Sequence, residues 1–437
     1  MTDSTSNTDT KQDGAFTRFL KATEIDTRLL GMIGALALIW FGFHYYGLFV
    51  NGFGAFLTPR NLWNLSVQTS SIGIMATGMV LVIVTRHIDL SVGSMLGFIA
   101  IIMGVVQVNI LPQYLGLGHP LIAAIAIVCG LIVGTILGAF QGFLIAYGKI
   151  PAFIVTLGGL LVWRGAGFLI ARGETISPVD ATFKLLGGGP YGAIGNMGSW
   201  FVGLIACAAV LWLITSARAK RKSFGIPQKP MWAETFLAIT GCGTIIGATV
   251  LVNSYYWPKG IIRRYVAETG INVPEGGLFI SHGFAIPVLI LVAVAIVMSI
   301  VMTRTRFGRY VYAIGGNPEA AELAGINTRM MTVKIFALMG FLTGLSAVVA
   351  SARLGSATAA LGTLDELYVI AAAVIGGTSL AGGIGTIYGA ILGAFVMQSL
   401  QTGMVLIGFD AAIQQVVVGS VLVLAVYLDI LYRRGSK

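Results

Sequence analysis

The sequence predicts an all-α, polytopic membrane protein with 10–12 transmembrane helices. Three observations carry this. Apolar runs of about 20 residues, the length that crosses a bilayer, recur along the chain. Only 10% of the 437 residues are charged and 56% are hydrophobic, whereas a soluble domain carries about 25% charged residues. The 27 Lys and Arg residues against 17 Asp and Glu give a formal net charge of +10, yet the basic residues flank apolar runs, which points to membrane topology before a nucleic-acid surface. The short alternating strands of a membrane barrel are absent. The 59 glycines suit helices that approach closely or break inside the bilayer.

Residues 1–27 are polar and lack an apolar core directly behind a basic start, so they read as a disordered cytoplasmic tail and not a cleavable signal. The transmembrane domain spans 28–431. Its first apolar runs lie at 29–50, 65–85, 90–111, 119–147 and 151–171, of which 119–147 is longer than one straight span requires. After a Gly-rich external segment at 172–197 come runs at 198–217, 231–252 and 281–302. The last are 331–352, 364–380, 383–405 and 410–431. Runs 90–111 and 364–380 are open to a second reading as half-helices or re-entrant pieces. ILGAF occurs at 136–140 and again at 391–395, and Gly-rich polar breaks precede apolar runs at 87–97 and 376–390. An internal pseudo-repeat is one reading of this echo; chance matching of common residue types is the other.

Lys and Arg accumulate on the cytoplasmic side. The basic loop 218–230 belongs to a stretch, 216–229, with five basic residues and no acid. The segment 303–330 carries Arg304, Arg306, Arg309 and Arg329, and the tail 432–437 ends the chain with Arg433, Arg434 and Lys437. An even number of spans puts all of these and both termini inside. Segment 253–280 then lies outside with three basic residues, partly balanced by Glu268 and Glu275, and its Tyr255-Tyr256-Trp257 cluster suits a membrane interface. Cys129, Cys207 and Cys242 lie in apolar runs without metal or disulfide spacing and read as packing residues. His44, His87, His119 and His282 are far apart and read as structural or interfacial. No nucleophile elbow, metalloprotease signature or Walker loop is present, so nothing in the chain reads as an ATP-hydrolysing site.

Several polar groups interrupt the apolar pattern. Arg86, His87 and Asp89 precede Ser91, Gly93 and Ser94. One reading is a broken helix, with Asp89 capping the next helix, Arg86 pairing with it and Gly93 permitting close approach. The other is a surface turn with Arg86 snorkelling. Arg164 reads as a lining residue, an ion-pair partner or a snorkelling side chain. Asp365 and Glu366 favour a helix N-terminus and, second, contact with a solute or an external partner. Gln398, Gln401, Gln414 and Gln415 suit sugar hydroxyls or interhelical bridges. Within 303–330, Asn317 and Pro318 start a short helix through Glu319, Ala320, Ala321, Glu322, Leu323 and Ala324, and Gly325 stops it. That helix either lies idle on the membrane or receives a soluble neighbour.

These motifs resemble a known family. GGNPEAAELAGINT, with its basic lead, is similar to the cytoplasmic coupling segment of bacterial ABC permeases for ribose, xylose and related sugars. IDLSVGS at 88–94, KIPAFIVTLG at 149–158 and the run 375–396 resemble other segments of that family. The Arg86-His87 pair resembles the xylose-type branch, and the extra length at 218–280 departs from compact ribose-type members.

The resemblance implies a non-catalytic permease subunit in the bacterial cytoplasmic membrane, surrounded by lipid. It implies a second permease copy as homodimer partner and a periplasmic binding protein delivering a monosaccharide, D-xylose in the first instance. Two cytoplasmic ATPase domains, carrying the ATP and Mg, would receive residues 317–325, with no cofactor on this chain and no nucleic-acid partner. The sugar route would lie near the helix breaks at Arg86, Asp89, Ser91, Gly93, Ser94, Arg164, Gly376, Gly377, Thr378 and Ser379. Alternatives are another sugar or a nucleoside, an ion-coupled secondary transporter, and a membrane enzyme, for which no catalytic cluster is evident.

Overall fold

The computed structural model describes residues 15–271, 273–274 and 277–434. Most of the expected N-terminal tail, residues 1–14, lies outside them, as do 435–437 and Glu275. The helices in chain order are α1 (Ala15–Thr23), α2 (Thr27–Asn51), α3 (Pro59–Val84) and α4 (Val92–Gly104). A π-helical stretch, Val105–Ile110, continues α4 into α5 (Leu111–Leu115). Next come α6 (Leu121–Ala146), α7 (Ala152–Ala171), the single turn α8 (Ala181–Lys184), α9 (Gly195–Ser223) and α10 (Met231–Asn253). Then follow α11 (Lys259–Thr269), α12 (Ile286–Arg304), α13 (Arg306–Gly316), α14 (Pro318–Leu323) and α15 (Thr328–Leu354). The chain finishes with α16 (Asp365–Ile375), α17 (Ile387–Leu406) and α18 (Ala411–Arg434). Among the described residues, ten helices are long and apolar enough to cross a membrane, and strand pairing is limited to isolated bridges. The protein is an all-α polytopic membrane protein.

Several boundaries differ from the sequence reading. The tail expected to be disordered is helical over Ala15–Thr23. Phe19 gives that helix an apolar anchor against Trp232 and Phe236, at centroid distances of 6.0 and 5.3 Å. The basic loop begins as helix, because α9 continues to Ser223 and sets Lys220, Arg221 and Lys222 beside its C-terminal carbonyls. Run 90–111 belongs to one composite span, Val92–Leu115, whereas run 364–380 forms only α16, too short to cross a bilayer. In the Tyr255-Tyr256-Trp257 cluster, Tyr256 is exposed and its two neighbours are half-buried. Tyr255 stacks on His282 at 4.1 Å, and Trp257 packs edge-on against Tyr191 and Tyr265.

The chain divides into two units. The smaller comprises residues up to 31 and 200–250. There Glu24 accepts from Arg221 at 2.7 Å and pairs with Lys229 at 3.3 Å, while Arg218 pairs with Glu234 at 2.5 Å. The Arg221 hydrogen bond holds the Glu24 carboxyl below its ordinary range. Cys207 and Cys242 face each other across α9 and α10, each thiol 3.9 Å from the other's carbonyl oxygen.

The larger unit, residues 32–199 and 251–437, is built around α3 and α15. Every residue from Thr69 to Thr85 is buried. The two helices run antiparallel. The Ser71 and Ser346 hydroxyls hydrogen-bond at 2.7 Å, and Gly78, further along α3, faces Met339, earlier on α15. Helix α6 lies on α15 through a ladder of Gly130, Gly134, Gly138 and Gly142 at every fourth position. A Cβ on Gly134 or Gly138 would strike the carbonyls of Gly340 or Phe336, so the two backbones touch. The opposite face of α6 exposes Ile125, Val128, Ile132 and Ile136, as a lipid-facing surface does. Helix α17 lies antiparallel on α3, with Gln398 donating to Gln68 at 2.9 Å and Gly385 set against Val84 and Val80.

These directions define an inverted repeat. Helices α3 and α6 run one way, α15 and α17 the other. Each leading helix is followed by a non-helical re-entry, 87–91 or the turn-rich 355–364, and then by a helix that starts inside the protein. The ILGAF pair sits on the equivalent helices α6 and α17. The partners are exchanged, since α6 packs on α15 and α17 packs on α3.

Candidate functional site

The starts of α4 and α16 meet. A Cβ on Gly93 would strike the Glu366 carboxylate and the Gly362 carbonyl, and one on Gly362 would strike the Gly93 carbonyl. Only glycine permits this approach, because both elements present backbone to one another. On the α4 side, Asp89 accepts from the Ser91 amide at 2.8 Å and from the Ser91 hydroxyl at 2.6 Å. Gln141 donates to that hydroxyl at 2.9 Å, and Ser94 donates to the Ser91 carbonyl at 2.9 Å. Asp89 is 1% exposed, so this local turn replaces the expected pairing with Arg86. On the α16 side, Asp365 and Glu366 occupy the first turn, where the positive end of the helix favours carboxylates. One Glu366 oxygen is buried with no hydrogen-bond partner among the described residues. Arg164 reaches across from α7 to the re-entrant chain, donating to the Ala359 carbonyl at 2.8 Å and the Thr363 hydroxyl at 2.6 Å.

Beside the α16 start lies a cavity of about 630 Å³. Asn61, Asn64, Gln68 and Ser71 line it from α3, with Gln398, Gln401 and Thr402 on α17, Arg353 on α15 and Asp365 on α16. The cavity occupies the Pro59 end of α3 and the Leu354 and Leu406 ends of α15 and α17. Beyond Ser71 the buried stretch of α3 closes it.

At the other end of α3, Arg86 adopts a left-handed conformation, φ +65°. Its Nε donates to the Gly315 carbonyl at 2.9 Å and its Nη2 to the Gly316 carbonyl at 2.7 Å, the last carbonyls of α13. The Gly383 amide donates to the Val84 carbonyl at 2.9 Å, and the Tyr312 hydroxyl donates to the Gly385 carbonyl at 2.7 Å. Arg86 therefore ties α3 to α13 and lies away from the cavity. Helix α14 follows at once. Asn317 caps it by accepting from the Ala320 amide at 3.0 Å, and Gly325 ends it at φ +83°. Ala321 faces inward at 4% exposure, while Leu323 is 91% exposed on the outer face.

The polar residues singled out in the sequence therefore fall into separate places. Asp89, Ser91, Gly93 and Ser94 gather at the meeting of helix starts. Gly376, Gly377, Thr378 and Ser379 form the turn after α16, packed on α17, with Gly376 against Gly389. Gln414 donates to the Phe409 carbonyl at 2.8 Å, and Gln415 is exposed outside the cavity. The sequence reading did not select Asn61, Asn64, Gln68 or Arg353. The signal for the first three was the spacing of polar residues at 61, 64, 68 and 71, which puts them on one helical face, whereas Arg353 at the end of α15 had no such pattern. Among the described residues, no group of three or more His, Cys, Asp or Glu is placed to hold a metal ion.

An inverted repeat with internal helix starts beside a polar cavity is the architecture of a membrane permease. The chain belongs to the family described as "Branched-chain amino acid transport system / permease component", whose model matches residues 61–426. It is 37% identical over 383 residues to the xylose transport system permease protein XylH of Escherichia coli, covering 88% of each chain. It is 32% identical over 375 residues to the ribose import permease protein RbsC of the same organism, covering 86% of this chain and 87% of that one. The fructose import permease protein FrcC of Rhizobium meliloti is 28% identical over 394 residues, covering 90% and 82%. No solved structure matches the chain. Family and relatives together make this a permease subunit of an ABC-type sugar importer.

Proposed function

We propose that this chain forms the translocation path of an ATP-driven monosaccharide importer, with D-xylose the first candidate substrate. The observation that carries the reading is the bonded line from the exposed helix α14 through α13 and Arg86 to α3, which walls the cavity. In this reading the chain pairs with a second copy in the bacterial cytoplasmic membrane, with both termini, 218–230 and 303–330 inside and 253–280 outside. A periplasmic binding protein delivers sugar. Two ATPase domains, holding ATP and Mg, grip Asn317 to Gly325, where exposed Leu323 offers an apolar contact. The subunit itself is non-catalytic. Sugar passes near the helix breaks at Asp89–Ser94 and Gly376–Ser379, with Arg164 holding the second re-entry.

Reconstitution with candidate ATPase and binding proteins, followed by labelled-xylose uptake, tests this. ATP-dependent uptake of xylose supports it. Uptake of ribose or fructose in place of xylose keeps the importer and replaces the substrate. Uptake that follows an ion gradient without any ATPase overturns the coupling. Within the complex, Glu319→Lys or Gly325→Leu is expected to lower sugar-stimulated ATP hydrolysis more than permease abundance. Equal loss of both removes the coupling role from those positions.

A further inference from the structure

We propose that the cavity at the Pro59 end of α3 is a binding station for a neutral polyhydroxylated ligand, loaded from the face opposite α14. This rests on the importer reading and adds a site to it. Polar side chains on a membrane span are costly and gather where a polar solute or water reaches them. Here α3 and α17 turn amide stripes toward one another, and only part of that hydrogen-bonding capacity is used internally. Gln68 and Gln398 bond each other, and Asn61 donates to the Phe56 carbonyl at 2.8 Å. Among the described residues, Asn64 and Gln401 have no side-chain hydrogen bond, and the buried Thr402 hydroxyl has no partner. Each side-chain amide supplies both donors and acceptors, the set that a ring of hydroxyls complements. Arg353 and Asp365 add a guanidinium donor and a carboxyl group, so the lining carries no excess of one sign to favour an anion or a cation, whereas a neutral ligand can hydrogen-bond to both. The volume, about 630 Å³, falls within the range of small-molecule sites.

The full-length chain in lipid nanodiscs, without partners, is titrated with D-xylose, D-glucuronate and D-glucosamine by saturation-transfer NMR. Saturable D-xylose binding, several-fold tighter than either charged sugar, is the expected result. Asn64→Leu and Gln401→Leu should each weaken it about three- to tenfold, the loss of a hydrogen-bonded amide. Thr402→Val, which keeps the side-chain shape, guards against misfolding and should weaken it about two- to threefold. Non-saturable binding, equal binding of the charged sugars, or variants that bind as the parent does each overturn the site. In the complete complex, uptake with both maximal rate and KM unchanged by these substitutions overturns the site and leaves the importer reading intact. Failure of every monosaccharide-loaded binding protein to drive uptake by the parent complex overturns the importer reading itself.

Discussion

Arg86 illustrates how one side chain joins segments that the sequence keeps far apart. Its guanidinium meets two carbonyls at the C-terminal end of α13, where partial negative charge gathers and a cation is favoured. Arg86→Lys keeps the charge but cannot reproduce the fork. Hydrogen bonds to a charged group contribute about 1.5–3 kcal/mol, so Arg86→Ala should reduce sugar-stimulated ATP hydrolysis about tenfold or more. Basal ATPase activity and assembly should hold, with Arg86→Lys intermediate. A complex whose stimulation is unchanged in Arg86→Ala removes this strut from the force path. The sequence showed that Arg86 interrupts an apolar run, but not its partner. Asp89 was nearer in sequence, and nothing local revealed that a left-handed turn at Arg86 would aim it at residues 315 and 316. Helix α14 was more legible, because Asn-Pro starts and glycine stops are written within a few residues.

At the scale of elements, the long apolar runs declared themselves by length. What length could not reveal was which face meets protein. On α6 the glycines at every fourth position answer that question. Gly138→Leu and Gly340→Leu should each abolish monodisperse protein in fluorescence-detected size-exclusion chromatography, since overpacking of about 1–3 kcal/mol or more falls on backbone that cannot yield. Gly158→Ala, where a Cβ meets open space, should leave the profile unchanged. Normal behaviour of both leucine variants would show that α6 and α15 do not touch as described. Helix α1 is held differently. Because Arg221 lowers the Glu24 pKa, the stabilisation is complete above the ordinary carboxylate pKa, about 4.3. It is lost as pH falls through the folded value. Protection of the α1 amides, taken relative to the intrinsic exchange rate at each pH, should therefore fall on acidification below that range, and Glu24→Gln should show the lowered protection, as a raised exchange rate, at neutral pH. A rate in Glu24→Gln equal to the parent's at neutral pH would refute the anchor.

For the molecule as a whole, five matching residues at 136–140 and 391–395 marked helices that prove equivalent, but they carried no sign of opposite direction. Inversion became visible only through pairs such as Gln68 with Gln398 and Ser71 with Ser346, residues 275 or more positions apart. The same separation hid the cavity, whose walls come from helices at both ends of the sequence. The exchange of partners between the halves also has a consequence for synthesis. Helix α3 leaves the ribosome early carrying Asn64, Gln68, Thr69, Ser70 and Ser71, yet α15 and α17, which pack on it, emerge more than 240 residues later. A nascent chain must keep this polar helix in or beside the insertion machinery until the C-terminal half arrives. A chain ending at residue 327, before α15, should be cleared rapidly in pulse-chase labelling, and co-expression of 328–437 should rescue it. Each half thus serves as the other's assembly chaperone, and the order of biogenesis is written into the exchange.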